Sequence, residues 1–347
     1  MSDFAQTGLI TTLQRLNETH LAELEGELTT LAAARPIALV LPCHAGDLDR
    51  PAFDGILAAL DGATFIQRIV VSLNGVDEFA IALVEERLAR GRPPMTVLWA
   101  DRPDAPAAAL GGKGGNVAAA FTHLLADSSC DIFATQDCDV ASFRREDLAR
   151  LCYAVAHPRL GYRFAKMYYS RVTDRLYGRV SRLFFAPLLH AVVSVAGHVP
   201  LVDFLLSFRY PLAGEVAMTR ELAASLRSSA GWGLEIGQLC EVFRHVDPRD
   251  VCQVDGGSGY DHKHQPATTA LAGMAAEIAR ELFRQFAAEG LPDDAAFRAE
   301  IARAYRRESA HALRRSASLA LINRLPFDEA AESQIVAAFA ARLEGGG

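Results

Sequence analysis

Four short apolar runs, each stopped by a polar loop and set apart by helical periodicity, constrain this chain more than any other feature. They are "PIALVLPCHAGD" (36–47), "QRIVVSLNG" (67–75), "PMTVLWAD" (94–101) and "DIFATQ" (131–136). Each reads as a strand with no polar face, and "EFAIALVEERLARG" after the second reads as a helix. Strands apolar throughout and alternating with helices describe a mostly parallel sheet covered on both faces. Ligands of such sheets gather beyond the carboxyl ends of the strands. That rule aligns Pro42–Asp47, Ser72–Gly75 and Asp137–Asp139 along one edge.

Leucines at 13, 16, 21, 24, 28 and 31 predict an N-terminal helix ahead of the first strand, within residues 1–35. Residues 36–265 read as the main domain: "GYRFAKMYYSR" alternates like a strand, "PLAGEVAMT" reads as a strand or turn, and "VCQVDGGSGYDHKHQ" runs from a strand into a glycine-rich loop. From 266 to 347 the chain is Ala-rich and helical, predicting a C-terminal helical region packed on the main domain. A net charge of −7 over 347 residues argues against a general nucleic-acid binder, so an anionic ligand needs local cations or a metal. Six scattered cysteines without a CxxC pair read as reduced, buried thiols. The longest apolar run, 183–208, is interrupted by Pro187, His190, Gly197, His198, Pro200 and Asp203, so an internal helix or a mobile apolar cover is expected in place of a membrane span. The N-terminus lacks the basic start and apolar block of a signal peptide, and a cytoplasmic protein is expected.

Several stretches could carry chemistry. Asp137 and Asp139 follow a strand at i and i+2 and could turn two carboxylates toward Mg²⁺ or Mn²⁺, hard ions that complete their shells with phosphate and water. Alone, such a D-x-D is more often a polar turn. "LGGKGGNVAAAF" (110–121) surrounds Lys113 with four glycines at a helix start, a setting for an anion or for a plain surface loop, and it is not a Walker A loop. In "GYDHKHQ" (259–265), His262 could complete a divalent site with an aspartate, or both loop histidines could simply be exposed. Arg171 in "SRVTDR" and Arg179 in "YGRVSRL" are equal candidates for a phosphate or carboxylate partner. Glu235 in "GWGLEIGQL" is either a helix-start charge or a buried group facing a ligand.

In chain order, "LP" after the first strand, "GGKGGNV", "DCD", "GRVS", "PLAGE", "GWGLEIG" and "DHKHQ" resemble the glucosyl-3-phosphoglycerate synthases, and the tail "LINRLPFDEAAES" is similar too. No one of these motifs is specific; seven in order are. The resemblance implies a GT-A, Rossmann-like α/β fold and a retaining transfer of glucose from a nucleotide diphosphate sugar, usually UDP-glucose, to the 2-hydroxyl of 3-phosphoglycerate. It implies that Asp137 faces the ribose, that Asp139 and His262 ligate Mg²⁺ or Mn²⁺, and that Lys113 positions the donor. Pro42, Cys43, His44, Ser72 and Cys138 would line the nucleotide-sugar site. Gly178, Arg179 and Ser181 match a "GRVT" acceptor-phosphate loop, which favours Arg179 over Arg171. Glu235 falls near the sugar and acceptor, so Glu235, Asp139 and Lys113 are the expected catalytic residues. Family members are commonly dimers, and for such a homodimer the apolar 183–208 run would be a candidate surface, while the sequence itself does not give the oligomeric state.

Two departures bear on donor choice. Relatives commonly carry an "LNEE"-like segment where this chain has "CHAGD", which removes an acid near the base, and Tyr260 stands where an Arg is often found. A mannosyl-type synthase using GDP-mannose with glycerate or phosphoglycerate is the neighbouring alternative. A nucleotide-sugar-binding regulator or a nucleotidyltransferase is the more distant one, although the latter normally places its glycine-rich loop directly after the first strand.

Overall fold

The apolar runs do pair as parallel strands. The computed structural model describes residues 6, 8–17, 21–126, 129–259, 261 and 268–344. In chain order its elements are β1 (Thr11–Leu13), α1 (Leu21–Ala34), β2 (Ile37–His44), α2 (Pro51–Leu60), β3 (Arg68–Asn74), α3 (Glu78–Leu88), β4 (Met95–Trp99), α4 (Gly112–Ala126), β5 (Ile132–Thr135), α5 (Arg145–Ala156) and β6 (Phe164–Ser170). There follow α6 (Ala186–Ala196), α7 (Pro200–Leu206), β7 (Val216–Thr219), α8 (Arg220–Ser225), α9 (Leu234–His245), β8 (Val251–Ser258), α10 (Thr268–Ala288), α11 (Ala295–Ile322) and α12 (Glu329–Glu344). They form one eight-stranded sheet of order β1-β8-β6-β7-β5-β2-β3-β4. All neighbours run parallel except β7, which pairs antiparallel with β5 and β6.

The order reverses at β2: β3 and β4 lie on one side of it and β5 on the other, which makes the crevice between β2 and β5 a topological switch point. β5 leaves the ladder at the pair Val40–Thr135, two residues before Pro42. A residue without an N–H therefore falls where β2 has already lost one neighbour. Ladder pairing between the two strands ends there, after a last bond from Gln136 N to Val40 O, on the side of the ligand edge.

Two cores clothe the sheet. On one face Leu28, Phe53, Ile56, Val84 and Leu151 from α1, α2, α3 and α5 pack on Leu39, Leu41, Val71 and Ala134. On the other, α4 and α6–α12 contribute Val117, Leu188, Phe204, Leu222, Leu239, Leu282, Ile301 and Phe339 against Val40, Val70 and Phe133. Fully burying each such side chain is worth about 1.5–3 kcal/mol. All six cysteines are free and buried.

One expectation fails and one is narrowed. The leucine periodicity does not make one helix: Thr11–Leu13 is instead a strand pairing with Cys252–Val254, and Ile10 before it is buried. The residue-8-to-17 leucines follow a helical spacing, but the unpaired edge of β8 offers backbone partners that a helix there would leave unused. The run 183–208 follows the internal-helix alternative, passing from the turn at Val180–Phe185 into α6 and α7. Leu183, Phe184, Phe185, Leu188, Leu189, Leu201 and Phe204 are buried, and Tyr305 of α11 donates its hydroxyl to the Leu183 carbonyl at 2.8 Å. Among the described residues no helix is long and apolar enough to cross a membrane.

Candidate active site

A cleft of about 550 Å³ opens over the carboxyl ends of β2, β3 and β5. The glycine-flanked lysine, the two aspartates and the buried glutamate, from three distant segments, meet in it. Lys113, in the first turn of α4, reaches Asp137 Oδ1 at 2.5 Å and Glu235 Oε1 at 2.8 Å. Burial pulls the Lys113 ammonium down, but the charges of Asp137 and Glu235 outweigh it and hold its pKa well above the ordinary lysine value. Glu235 is in the first turn of α9 and only 7% exposed.

The close approach of Lys113 and Asp137 depends on a residue that sequence reading passed over. Gly214 lies beneath the pair, and a Cβ there would fall on Lys113 Nζ and on both Asp137 carboxylate oxygens. Its segment is pinned from below: the Thr135 hydroxyl donates to Gly214 O at 2.6 Å, and the Glu215 carboxylate accepts from Tyr169 Oη at 3.0 Å and Gln136 Nε2 at 3.3 Å. Gly114 serves similarly on α4, where a side chain would strike the Ser229 carbonyl. In "PLAGE" and "GGKGG" the glycines thus matter for what may approach the backbone.

Asp139 lines the cleft two residues beyond Asp137. Burial, then the charge of Asp137, pushes its pKa up to about 6, with Asp47 adding to the rise and Lys113 opposing it. A carboxylate held among negative neighbours fits a divalent cation, whose charge would relieve that crowding, with water and phosphate oxygens as further ligands. Among the described residues no three His, Cys, Asp or Glu side chains converge on one point. His262, the expected second ligand, lies outside the described residues, as does Tyr260.

Pro42, Cys43 and His44 line the cleft at the end of β2, and Cys138 joins them from beyond β5. Burial, then Cys138, keeps the Cys43 thiol well above its usual pKa. His44 Nδ1 accepts from the Gly46 amide at 3.1 Å, closing the turn that carries Asp47 into the cleft. Ser72 requires correction. It is wholly buried, its hydroxyl donates to the Asn116 carbonyl at 2.8 Å, and it does not line the cleft. The lining residue is Asn74, two positions on along the same strand face and at the strand end.

The expected acceptor loop forms the opposite wall. Gly178 adopts φ +67°, turning the chain so that Arg179, Val180 and Ser181 line the cleft at the start of a π-helical turn over Val180–Phe185. Such turns recur at functional sites. Arg171 lines the cleft as well, so both candidate arginines are present. Arg182 holds the loop from behind: its Nε donates to Tyr177 O at 3.1 Å, and its Nη2 pairs with Glu332 of α12 at 2.5 Å. Further lining comes from Asn116, Tyr210 and Leu212, from half-exposed Trp232, and from Leu271, Met274, Glu277 and Ile278 on α10. Trp232 stood in view within "GWGLEIG"; the α10 residues carry no local signal, because only tertiary packing brings them here.

Comparison with known proteins gives a consistent set of relatives. No protein-family model matches the chain. The glucosyl-3-phosphoglycerate synthase of Persephonella marina is 35% identical over 359 aligned positions, covering 99% of this chain and 89% of that protein. The enzyme of the same name from Methanococcoides burtonii is 31% identical over 258 positions, 70% of this chain and 63% of that one. Among solved structures, the glucosyl-3-phosphoglycerate synthase of Mycobacterium tuberculosis in complex with Mn²⁺, uridine diphosphate and phosphoglyceric acid aligns with a TM-score of 0.59 at 25% identity, covering 82% of this chain and 88% of that one. The same protein with Mg²⁺ and uridine diphosphate aligns with a TM-score of 0.59 at 25% identity, over 83% of this chain and 89% of that one.

Proposed function

The chain belongs to the glucosyl-3-phosphoglycerate synthases, and from that premise we propose that its cleft transfers glucose from UDP-glucose to the 2-hydroxyl of 3-phosphoglycerate. It is a metal-dependent glycosyltransferase acting on phosphoglycerate; the donor's base and sugar and the residue roles are the finer reading. The observation that carries it is the union of Lys113, Asp137 and Glu235 in one cleft whose far wall is the Gly178–Ser181 loop.

Lys113 at the start of α4, backed by the helix dipole, binds the donor diphosphate. Asp137 accepts from ribose hydroxyls. Arg179 and the Ser181 hydroxyl hold the acceptor phosphate, orienting its 2-hydroxyl toward the sugar. Glu235 accepts from hydroxyls of sugar and acceptor and favours the positive character that develops at the anomeric carbon. A Mg²⁺ or Mn²⁺ held by Asp139, with His262 as the second ligand, would neutralise charge on the departing diphosphate. The bond from the anomeric carbon to phosphate oxygen breaks, and a bond to the acceptor oxygen forms on the same face. The acceptor proton passes to the leaving phosphate oxygen. Electrostatic stabilisation of that leaving group by groups already in place is the main source of rate in this scheme.

Incubation with Mg²⁺, 3-phosphoglycerate and either UDP-glucose or GDP-mannose, followed by mass spectrometry, tests the reading. Glucosylated phosphoglycerate from UDP-glucose, abolished by EDTA and absent with unphosphorylated glycerate, is expected. A mannosylated product alone would replace the donor assignment, and equal use of glycerate would remove the phosphate role of Arg179.

A further inference from the structure

One ionisable side chain beside the cleft has no part in that scheme. Lys166, in the middle of β6, is 0% exposed. Among the described residues its ammonium makes a single hydrogen bond, to Ala213 O at 2.5 Å, and no ion pair. An ammonium has more donors than that one bond uses. A buried cation so poorly matched destabilises a fold relative to an apolar side chain of the same length, so packing alone gives no reason for a lysine. The charges whose fields reach it are Glu235, Glu215, Lys113 and Asp137. Burial lowers its pKa to about 8 against the pull of Glu235 and Glu215, which leaves it protonated at neutral pH.

The charge balance of the cleft supplies the reason. Lys113 answers two carboxylates, Asp137 and Glu235, with one positive charge. Once Lys113 turns to a diphosphate, both carboxylates face that anion without their cation. Glu215 is already engaged by Tyr169 and Gln136. We propose that Lys166 is a positioning residue for donor binding, a fixed buried positive charge that offsets Asp137 and Glu235 when Lys113 is drawn to the diphosphate of a nucleotide sugar. The role rests on the donor site proposed above. Lys166 is tied to Ala213, next to the Gly214 on which Lys113 and Asp137 rest, so its charge stays in place as Lys113 moves.

Lys166→Gln, which keeps a donor for Ala213 O, and Lys166→Met, which does not, test the inference. Calorimetric titration with UDP-glucose and Mg²⁺ at low ionic strength should show the Kd raised at least about tenfold in both variants. The KM for 3-phosphoglycerate should stay within about twofold, and the Tm should be no lower than wild type, since a buried charge has been removed. Unchanged donor affinity in both variants overturns the inference. So does a Tm that falls together with all binding, which would mark a packing role. Wild-type affinity in Lys166→Gln but not in Lys166→Met would assign the effect to the hydrogen bond and also overturn it. A wild-type protein that binds no UDP-glucose would overturn the donor site itself, a result distinct from the others.

Discussion

A methyl group added at Gly214 would stand where the Lys113 ammonium and the Asp137 carboxylate meet. Gly214→Ala should therefore separate the pair without touching the sheet core, lowering kcat/KM at least about tenfold, the scale of one lost charge-assisted contact. Thermal denaturation should show a Tm within a few degrees of wild type; a large Tm loss with proportionate activity loss would instead mean that the backbone had moved. The residues legible in the sequence here were those whose chemistry is itself the signal: Lys113 among glycines, Asp137 and Asp139 after a strand, Glu235 at a helix start. Gly214 was not legible, because its contribution is the absence of a side chain at a contact made only in three dimensions. Ser72 was misread for a simpler reason. Its place in the site came from the resemblance, whereas its side chain is buried within β3 and the mouth belongs to Asn74 at the strand end.

Among the elements, the proposed acceptor loop at Gly178–Ser181 is held from outside by α12. Arg182 and Glu332 are both largely buried, with side chains 18% and 12% exposed, so their pairing is screened less than a surface bridge. Glu332→Ala should free the Arg182 guanidinium and loosen the turn at Tyr177–Ser181. The KM for 3-phosphoglycerate is expected to rise about three- to tenfold while donor affinity is unchanged; steady-state kinetics with each substrate varied checks this, and a shift in donor affinity would argue against a local effect. The strands of the first half were legible from their apolar runs, since a parallel strand buried on both faces admits little else. The antiparallel insertion of β7 between β5 and β6 was not, because "EVAMT" is equally apolar whichever way it runs. Nor was β1, whose Leu13 continues the helical leucine spacing and whose identity is decided by β8.

For the whole molecule, Lys166 gives stability a pH signature. Its folded-state pKa of about 8 lies below the roughly 10.4 of a solvated lysine. Between those values the unfolded chain holds the extra proton, so this group's contribution to stability rises as pH climbs through that window. Below about pH 8 both states are protonated and the cost of the buried charge is felt in full, up to about 3 kcal/mol for a shift of this size. Lys166→Met should thus exceed wild type in Tm at neutral pH, and the gap should narrow by about pH 9.5; a gap independent of pH would count against a charged Lys166. The helices after residue 266 are likewise part of one body with the sheet, since α10 lends Leu271, Met274 and Ile278 to the cleft and α11 covers the 183–208 run. The pairing of β1 with β8 carries this further, into the making of the protein. Thr11 finds its partner only at Cys252, so a chain emerging from the ribosome must keep its first strand unmatched until most of its length has been translated, and the α10 wall arrives later still. A nascent fragment ending before α9 would carry Lys113 and Asp137 without Glu235 or the α10 wall of the cleft.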